Sequence, residues 1–212
     1  QEDEVAGSTY FPDADYVRVH LYSGDLDRSN YPSPEGDIFF DNDDEPFQYM
    51  EPGGAGFTVL LHEIGHALGL KHPFDEGDNF RPTFEDLGIK SMDRMRYTVM
   101  SYDIARPPYG PEGFVETLMP LDILAIQSLY GANTQWMTGN NVYSWAPTQS
   151  VFETIWDAGG VDTIDASNQL AAVSLNLNEG QYSTIGQAFT DQAGNAFNQG
   201  LAIGAAGLTF PR

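Results

Sequence analysis

The sequence predicts an α+β fold in which a segment of strands and helices precedes a strand-rich segment. Residues 16–22 and 36–41 are rich in β-branched and aromatic residues, which predicts two strands. Apolar residues at helical spacing predict one helix near residues 57–68 and another over residues 120–131. After about residue 133 charged residues become fewer and short β-prone runs alternate with turn residues, which predicts the strand-rich segment.

The stretches between these elements lack a regular apolar period. Residues 1–15 are acidic, and we expect a loose terminus there. Residues 23–36 are rich in Ser, Gly, Asp and Pro and predict a surface loop. Residues 73–96 mix proline, glycine and charge, so we expect a long loop with a short helix.

Both predicted helices have recognisable apolar positions and ends. The first has an apolar stripe formed by Phe57, Leu60, Leu61, Ile64 and Leu68. Residues three and four apart share one face of a helix, so we expect this stripe to face the core. The second begins at Pro120, which suits a first helical turn, and ends at Gly131.

The first helix and the residues after it contain three of the four histidines of the chain. His62 and His66 lie one helical turn apart, so both imidazoles can bind one metal ion. Gly69 can adopt a positive φ, which would end the helix and let His72 return as a third ligand. Three neutral nitrogens with an open fourth position are the ligand set of a catalytic zinc, and Glu63 lies within reach of its water.

A bare HExxH pattern occurs by chance in many helices, so the pattern alone is weak. Gly69 and His72 extend it to HExxHxxGxxH. The segment from Tyr97 to Tyr102 follows at the distance where a Met-turn is expected, with Met100 as its methionine. The combined pattern predicts one zinc per chain.

Composition excludes several other classes of function. The net charge of −22 argues against nucleic acid or an anionic membrane surface as a partner. The 31 carboxylates favour calcium instead, although a solvated acidic surface accounts for most of them. The absence of cysteine excludes disulfides and thiolate metal sites. The given residues contain no apolar run near the ~20 residues of a membrane span and do not open on a basic-then-apolar leader, so we expect that, if the protein is exported, this is a processed form.

At these residues the chain resembles the metzincin zinc endopeptidases, and within them the serralysins. Serralysins and astacins have tyrosine two residues after the Met-turn methionine, as Tyr102 follows Met100 here, whereas matrix metalloproteinases have proline. Astacins depend on disulfides, which this chain cannot form. The resemblance continues through Asp122 to Asn133 and through Trp156 to Thr163.

The resemblance implies two regions. Residues 1–133 would form a metzincin-type catalytic domain with a mixed twisted sheet, an active-site helix, a Met-turn and a C-terminal helix, its N-terminal part absent or reduced. The strand at 36–41 would be the edge strand along the cleft. Asp41 and Asp44 resemble a calcium loop of the matrix enzymes, but a plain acidic turn is favoured. Residues 134–212 would form a truncated, β-sandwich-like entry to the serralysin β-roll.

The resemblance also assigns roles around the zinc. Glu63 would act as general base and then general acid. Tyr102 would bind zinc at rest, swing away when substrate binds, and donate a hydrogen bond to the attacked carbonyl oxygen. Met100 would pack as an apolar floor beneath the three histidines.

A glycine-rich acidic segment resembles the first calcium loop of the family. The implied ligands are Met137, Gly139, Asn141, Asp157, Gly159, Gly160 and Asp162. The nine-residue repeat is not present in multiple copies, so we expect one or two calcium ions. A second site is weakened because the glutamate that usually follows the segment matching residues 206–209 is missing.

The implied function is that of a secreted, extracellular zinc endopeptidase acting on proteins or peptides. We expect a monomer, and the resemblance allows a proteinaceous inhibitor as a partner. The alternative is a catalytically silent, calcium-stabilised binding or adhesion module with the same fold. The intact Glu63 favours the enzyme, and a fluorogenic-peptide assay with and without a zinc chelator separates the two.

Overall fold

The computed structural model describes residues 7–9, 18–22, 37–41, 49–76, 81–103, 114–190, 194–197 and 200–205. Helices and strands both occur among them, which confirms the α+β class. The helices are α1 (Ala55–Ala67), a short 3-10 helix (Lys90–Met92) and α2 (Pro120–Tyr130). The strands are β1 (Gly7–Thr9), β2 (Arg18–Tyr22), β3 (Asp37–Asp41), β4 (Val142–Tyr143), β5 (Phe152–Asp157), β6 (Thr163–Ile164), β7 (Tyr182–Ser183), β8 (Phe189–Thr190), β9 (Ala196–Phe197) and β10 (Gly200–Ala205).

The first sheet has the strand order β1-β3-β2, with β2 parallel and β1 antiparallel to β3. Both predicted strands are therefore confirmed. The prediction that residues 36–41 form an edge strand is wrong, because β3 is the middle strand of this sheet. Ile38, Phe39 and Phe40 are buried, and buried backbone groups need hydrogen-bond partners on both sides of the strand. Gly7–Thr9 supply one side, so the expectation of a loose terminus is wrong for these three residues.

Helix α1 packs beside this sheet, but its predicted apolar stripe is only half-buried. Its buried residues are instead small or polar: Gly56, Thr58, His62, Glu63, Gly65, His66 and Ala67. Leu60 and Ile64 pack at the margin of a cluster that contains Ile38, Phe40 and Ala67. The expectation that the stripe forms the core face is therefore wrong: the histidine-bearing face is the more deeply buried one.

Helix α2 confirms the predicted limits. Its N-terminus is capped by the carboxylate of Asp122, which accepts a hydrogen bond of 2.9 Å from the backbone N–H of Met119. Gly131 follows the last turn with φ 83°, a conformation that glycine adopts without a steric penalty. The predicted short helix in the 73–96 loop is also present, as the 3-10 turn at Lys90–Met92.

One apolar cluster joins the two halves of the chain. It contains Leu70, Met95, Val99, Met100, Val115, Met119 and Phe152, with Tyr182 and Phe189 packed against it. The backbone N–H of Glu116 donates to the carbonyl of Phe152 over 2.9 Å, and the N–H of Thr154 donates to Oγ1 of Thr117 over 2.8 Å. Residues before and after position 133 thus share a core, and the division into two regions at that position remains a prediction.

The strand-rich segment contains three small sheets among the described residues: β5-β10-β7, β4-β6 and β8-β9. The pairs β5–β10 and β4–β6 are parallel. Trp145, Val151, Ile155 and Ile185 form a second buried cluster beneath them. The predicted loop at 23–36, Asp44 of the acidic turn and residues 206–209 lie outside the described residues. None of the described helices is long and apolar enough to span a membrane.

Candidate metal centre and active site

Three histidine side chains converge at the C-terminal end of α1. The Nε2 atoms of His62 and His66 each lie 3.1 Å from Nε2 of His72. Ligands of a tetrahedral zinc, with bonds of about 2.0–2.1 Å, lie about 3.3 Å apart, so the three nitrogens fit such an ion. The side chains are 7%, 1% and 3% exposed, respectively. Within the described residues they form the one group of His, Cys, Asp or Glu that could hold a metal ion.

The outward-facing nitrogens of two of these rings are hydrogen-bonded to backbone carbonyls. Nδ1 of His62 lies 2.7 Å from the carbonyl oxygen of Val99, and Nδ1 of His66 lies 3.0 Å from that of Leu70. A carbonyl only accepts, so each Nδ1 carries the hydrogen. Each Nε2 therefore directs its lone pair inward, as a metal ligand requires.

His72 is oriented by a carboxylate instead. Its Nδ1 lies 3.2 and 3.1 Å from the two carboxylate oxygens of Asp75, and its backbone N–H also donates to Asp75. Nζ of Lys71 donates to the Asp75 carbonyl over 2.9 Å and fixes the loop. A carboxylate behind an imidazole raises the basicity of a ligand. Sequence analysis missed Asp75, although an acidic residue three positions after a predicted ligand was a usable signal.

The turn that returns His72 begins at Gly69, as predicted. Gly69 has φ 93°, in the left-handed region that favours glycine. The N–H of Leu70 donates to the carbonyl of Gly65 over 2.9 Å, and the N–H of Gly69 donates to that of His66 over 2.8 Å. These bonds satisfy carbonyls at the helix end and reverse the chain direction.

A second turn, at residues 98–101, lies beneath the helix. The N–H of Ser101 donates to the carbonyl of Thr98 over 3.3 Å, and Met100 is buried within the turn. A Cβ atom on Gly65 would overlap the Met100 sulfur, so the helix and the turn approach each other through a glycine. Met100 thus packs against the helix that contains His62 and His66, and its role as a floor beneath the three histidines remains a prediction.

Asp122 fixes that turn from the start of α2. Its buried carboxylate accepts hydrogen bonds from Thr98 Oγ1 at 2.5 Å, from the Val99 N–H at 2.8 Å and from the Met119 N–H at 2.9 Å. Burial raises the pKa of Asp122 to about 6, against the opposing effect of these donors. Because Val99 also accepts the His62 Nδ1 hydrogen bond, Asp122 supports a predicted ligand through one residue. Sequence analysis gave Asp122 no such role.

Glu63 and Tyr102 occupy different environments around the histidines. Glu63 is buried on α1 between the two helical ligands. Tyr102 is 50% exposed, and its ring centroid lies 5.7 Å from that of His62 and 4.7 Å from that of His72. Phe74 stacks on His72 with centroids 5.0 Å apart and also contacts Tyr102 at 5.1 Å. Sequence analysis did not identify this aromatic contact.

The loop after His72 borders a cavity of about 580 Å³. Its lining includes Phe74, Arg81, Phe84, Glu85 and Lys90. Lys90 is paired with Glu85 over 2.7 Å. Phe74 belongs to both the cavity wall and the aromatic group on His72, so the cavity adjoins the metal centre.

The predicted calcium segment folds back on the turn before β4. The Asp162 carboxylate accepts from the Asn141 N–H at 2.9 Å, and Asp157 accepts from Tyr143 Oη at 2.6 Å and from the Gly159 N–H at 2.8 Å. A Cβ atom on Gly160 would overlap the carbonyl of Gly139, so the two segments are in close contact. Met137 has φ 50°, which is unusual for a residue other than glycine. The acidic segment and the turn before β4 therefore lie side by side through Asp162 with Asn141 and Gly160 with Gly139, and the calcium site itself remains a prediction.

Comparison with protein families gives two matches in tandem. Residues 15–98 match the Matrixin family, which includes all of α1 and the three histidines. Residues 121–197 match the family described as Peptidase M10 serralysin C terminal, which includes α2 and the predicted calcium segment.

The chain is also similar to individual proteins that are named as serralysins or as a metalloprotease. The chain is 32% identical to Serralysin of Photorhabdus sp. (strain Az29), over 86% of this chain and 44% of the relative. It is 35% identical to Serralysin C of Dickeya chrysanthemi, over 62% of this chain and 30% of the relative. It is 35% identical to Metalloprotease AprA of Pseudomonas entomophila (strain L48), over 63% of this chain and 31% of the relative. The chain thus spans less than half the length of these relatives, and the matches confirm the resemblance to the serralysins: a segment similar to the Matrixin family is followed by a segment similar to the serralysin C terminal.

Proposed function

We propose that the chain is a zinc endopeptidase that hydrolyses peptide bonds in proteins or peptides. The observation that supports this most directly is the convergence of three buried Nε2 atoms, each with its Nδ1 hydrogen fixed by an acceptor. Neutral imidazoles arranged in this way are the ligands of zinc in catalytic sites. The relatives named as proteases favour this function over a silent binding module.

Zinc held by His62, His66 and His72 would supply Lewis acidity toward a peptide carbonyl and lower the pKa of a bound water. Glu63 lies beside two of these ligands on the same helix and is buried, so its carboxylate acts in a water-poor environment. It takes a proton from the attacking water and passes it to the leaving nitrogen.

Tyr102 lies on the exposed side of the same group. Its ring rests against His62 and His72, within reach of a bound substrate. We infer that its phenol would be a further ligand of zinc at rest, and that with substrate bound it would donate a hydrogen bond to the carbonyl oxygen as negative charge develops there. Met100 supports the histidines from below by packing against Gly65.

The acidic segment of the C-terminal region would hold one or two calcium ions. Asp157 and Asp162 offer hard oxygen ligands, which suit calcium and not the nitrogen-preferring zinc. Asn141 donates its N–H to Asp162, and Gly139 lies against Gly160, so the carbonyl oxygens of this turn, including that of Met137, would be further ligands. Secretion into an extracellular, calcium-containing medium agrees with this composition.

A peptidase assay on two variants tests the proposal. Glu63→Gln keeps the size of the side chain but removes the base, so hydrolysis of a fluorogenic peptide should fall about 10²- to 10⁴-fold. Zinc content should remain at one ion per chain, because the ligands are untouched. Glu51→Gln, at an exposed position before the helix, is the matched control and should keep full activity.

Chelation provides the second arm of the same experiment. Removing zinc should abolish hydrolysis, and adding it back should restore hydrolysis. Full activity of Glu63→Gln, or hydrolysis that survives loss of the metal, would overturn the mechanism. A parent protein that binds zinc but cleaves no peptide would support the silent binding module.

A further inference from the structure

The chain that leads into the 98–101 turn is contacted by a tyrosine from the C-terminal region. The hydroxyl of Tyr182, in β7, donates a hydrogen bond to the carbonyl of Arg96. The Arg96 guanidinium carbon lies 3.9 Å from the centroid of the Tyr182 ring, and the Tyr97 ring packs edge-on against it at 6.1 Å. One side chain therefore holds two successive residues just before the turn.

The surroundings of Tyr182 favour its hydrogen bond to the Arg96 carbonyl. The ring is half-buried and packs against the cluster that contains Met100 and Val99. Burial raises the pKa of the Tyr182 phenol, although the Arg96 cation opposes the shift, so the hydroxyl remains a donor across the working pH range. Nε of Arg96 is buried without a hydrogen-bond partner among the described residues, and the guanidinium lies over the Tyr182 ring as a cation–π contact.

The held segment continues directly into the support of a predicted metal ligand. Two residues after Arg96, Thr98 donates to Asp122, and the next carbonyl, that of Val99, accepts the hydrogen bond from His62 Nδ1. The carbonyl of Tyr97 accepts from the Leu121 N–H over 2.9 Å. A shift of the chain at Arg96 would therefore move the acceptor that orients His62.

Tyr182 is in turn fixed by the C-terminal sheet. In that sheet Tyr182 pairs with Ala202 of β10, and β10 runs parallel to β5 along its whole length. β5 is joined to the segment before α2 through the hydrogen bond from Thr154 to Thr117. The tyrosine thus projects from a sheet that is itself attached to the core around the metal centre.

We propose that Tyr182 is a positioning residue for the metal centre: it holds the chain entering the 98–101 turn, so that Val99 orients His62. This inference rests on the proposed zinc site. It adds a residue to that site, because Tyr182 lies outside the segment that matches the Matrixin family. The C-terminal region therefore contributes to the geometry of the metal ligands as well as to the fold.

The test compares two variants of the full chain. Tyr182→Phe removes only the hydroxyl, and Tyr182→Leu also removes the aromatic contact with Arg96. Tyr182→Phe should weaken zinc binding about fivefold, the factor expected for loss of one neutral hydrogen bond, and Tyr182→Leu should weaken it further. The visible spectrum of the cobalt-substituted protein should change in both variants, because it reports the geometry of the ligands. The value of kcat should fall while KM stays near that of the parent.

Tyr49→Phe is the matched control. It also removes a single tyrosine hydroxyl, but at an exposed position before α1 that is remote from the 98–101 turn and from the histidine loop. Its zinc affinity, cobalt spectrum and kcat should equal those of the parent.

The outcomes separate the two proposals. If Tyr182→Phe lowers thermal stability but leaves zinc affinity and the cobalt spectrum unchanged, Tyr182 only packs and the inference is wrong. If Tyr182→Leu does not fold, the zinc affinity and cobalt spectrum of Tyr182→Phe decide the role of Tyr182, since this variant retains the ring. If the parent cleaves no peptide, the proposed function fails, and the metal affinity and spectrum still decide the role of Tyr182.

Discussion

The histidine centre and the acidic segment at Asp157–Asp162 are both predicted metal sites, yet the hydrogen bonds around their ligand atoms differ. In the histidine centre the ligand atoms face one another, and their outward nitrogens are already bonded. In the acidic segment the carboxylates already accept hydrogen bonds from neighbouring N–H and O–H groups. The histidines are buried, whereas Asp162 is exposed.

This difference indicates how each region depends on its ion. Three neutral nitrogens that face one another in a buried site are arranged to bind one metal ion, so the geometry of the histidine centre depends on that ion. The acidic segment is held by its own hydrogen bonds and by the close approach of Gly139 and Gly160. We therefore expect metal loss to abolish function at the first site and to reduce stability at the second.

The largest effect is expected at the exposed side of the histidine centre. Tyr102→Phe removes a donor that acts mainly in the transition state, so kcat should fall about 10²-fold, or roughly 3 kcal/mol, with zinc content nearly unchanged. Tyr49→Phe is a matched control, since Tyr49 is 48% and Tyr102 50% exposed. A kcat for Tyr102→Phe within about twofold of the parent would show that the tyrosine only packs.

The next effect concerns the stability of the C-terminal region. Glu153 in β5 accepts a hydrogen bond from Trp145 Nε1 at 2.7 Å, and burial together with repulsion from Glu116 raises its pKa to about 7. Its ordinary pKa is near 4.5, so between these values the unfolded chain ionises while the folded chain stays protonated. The parent should therefore lose stability as the pH rises from about 4.5 to about 7.

Glu153→Gln stays neutral and can still accept from Trp145. At pH 8 its free energy of unfolding should exceed that of the parent by about 3 kcal/mol, and at pH 4 the two should agree. Chemical denaturation across this range measures both. Glu179→Gln, an exposed acid in the same region, should show no such crossover. A constant difference between variant and parent at all pH values would exclude the raised pKa as the cause.

A smaller effect is expected behind His72. Asp75→Asn keeps an acceptor but removes the charge opposite Nδ1, so zinc affinity should fall about tenfold. Competition with a chromophoric chelator measures this. Asp86→Asn, at an exposed carboxylate that accepts from Thr83 in the same loop, should leave zinc affinity unchanged. Equal affinities for both variants would show that Asp75 shapes the loop without tuning the ligand.

The smallest effect is expected at the acidic segment. Removing calcium with a selective chelator should lower the melting temperature by a few degrees, about 1 kcal/mol, before the zinc site empties. Hydrogen exchange should increase mostly within residues 134–212. Asp157→Asn should abolish the calcium-dependent shift, and Asp165→Asn, which alters an exposed carboxylate bonded to Ser167, should retain it. If the melting temperature of the parent protein is the same with and without calcium, the segment is an ordinary turn.

The sequence predicted best those features that depend on residues close together in the chain. The limits of α2, the positive φ of Gly69 and the convergence of the three histidines follow from helical spacing and glycine conformation. Asp75 was missed although it is local, because a single acidic residue in a loop gives no periodic pattern.

Features that depend on distant residues were predicted poorly. The pairing of Gly7–Thr9 with β3 and the contact between Tyr182 and Arg96 join positions far apart in the chain. The apolar stripe of α1 was assigned to the core because periodicity identifies an amphipathic helix but not its neighbours. The face of α1 that contains Gly65 is buried more deeply than the apolar stripe, because Met100 packs against it.

Metal analysis combined with zinc X-ray absorption tests the central claim most directly. The account predicts one zinc per chain, bound by three imidazole nitrogens at about 2.0–2.1 Å, with the nitrogen shell lost in His66→Ala. Zinc well below one equivalent in freshly purified protein, or a shell made of carboxylate oxygens that persists in His66→Ala, would contradict it.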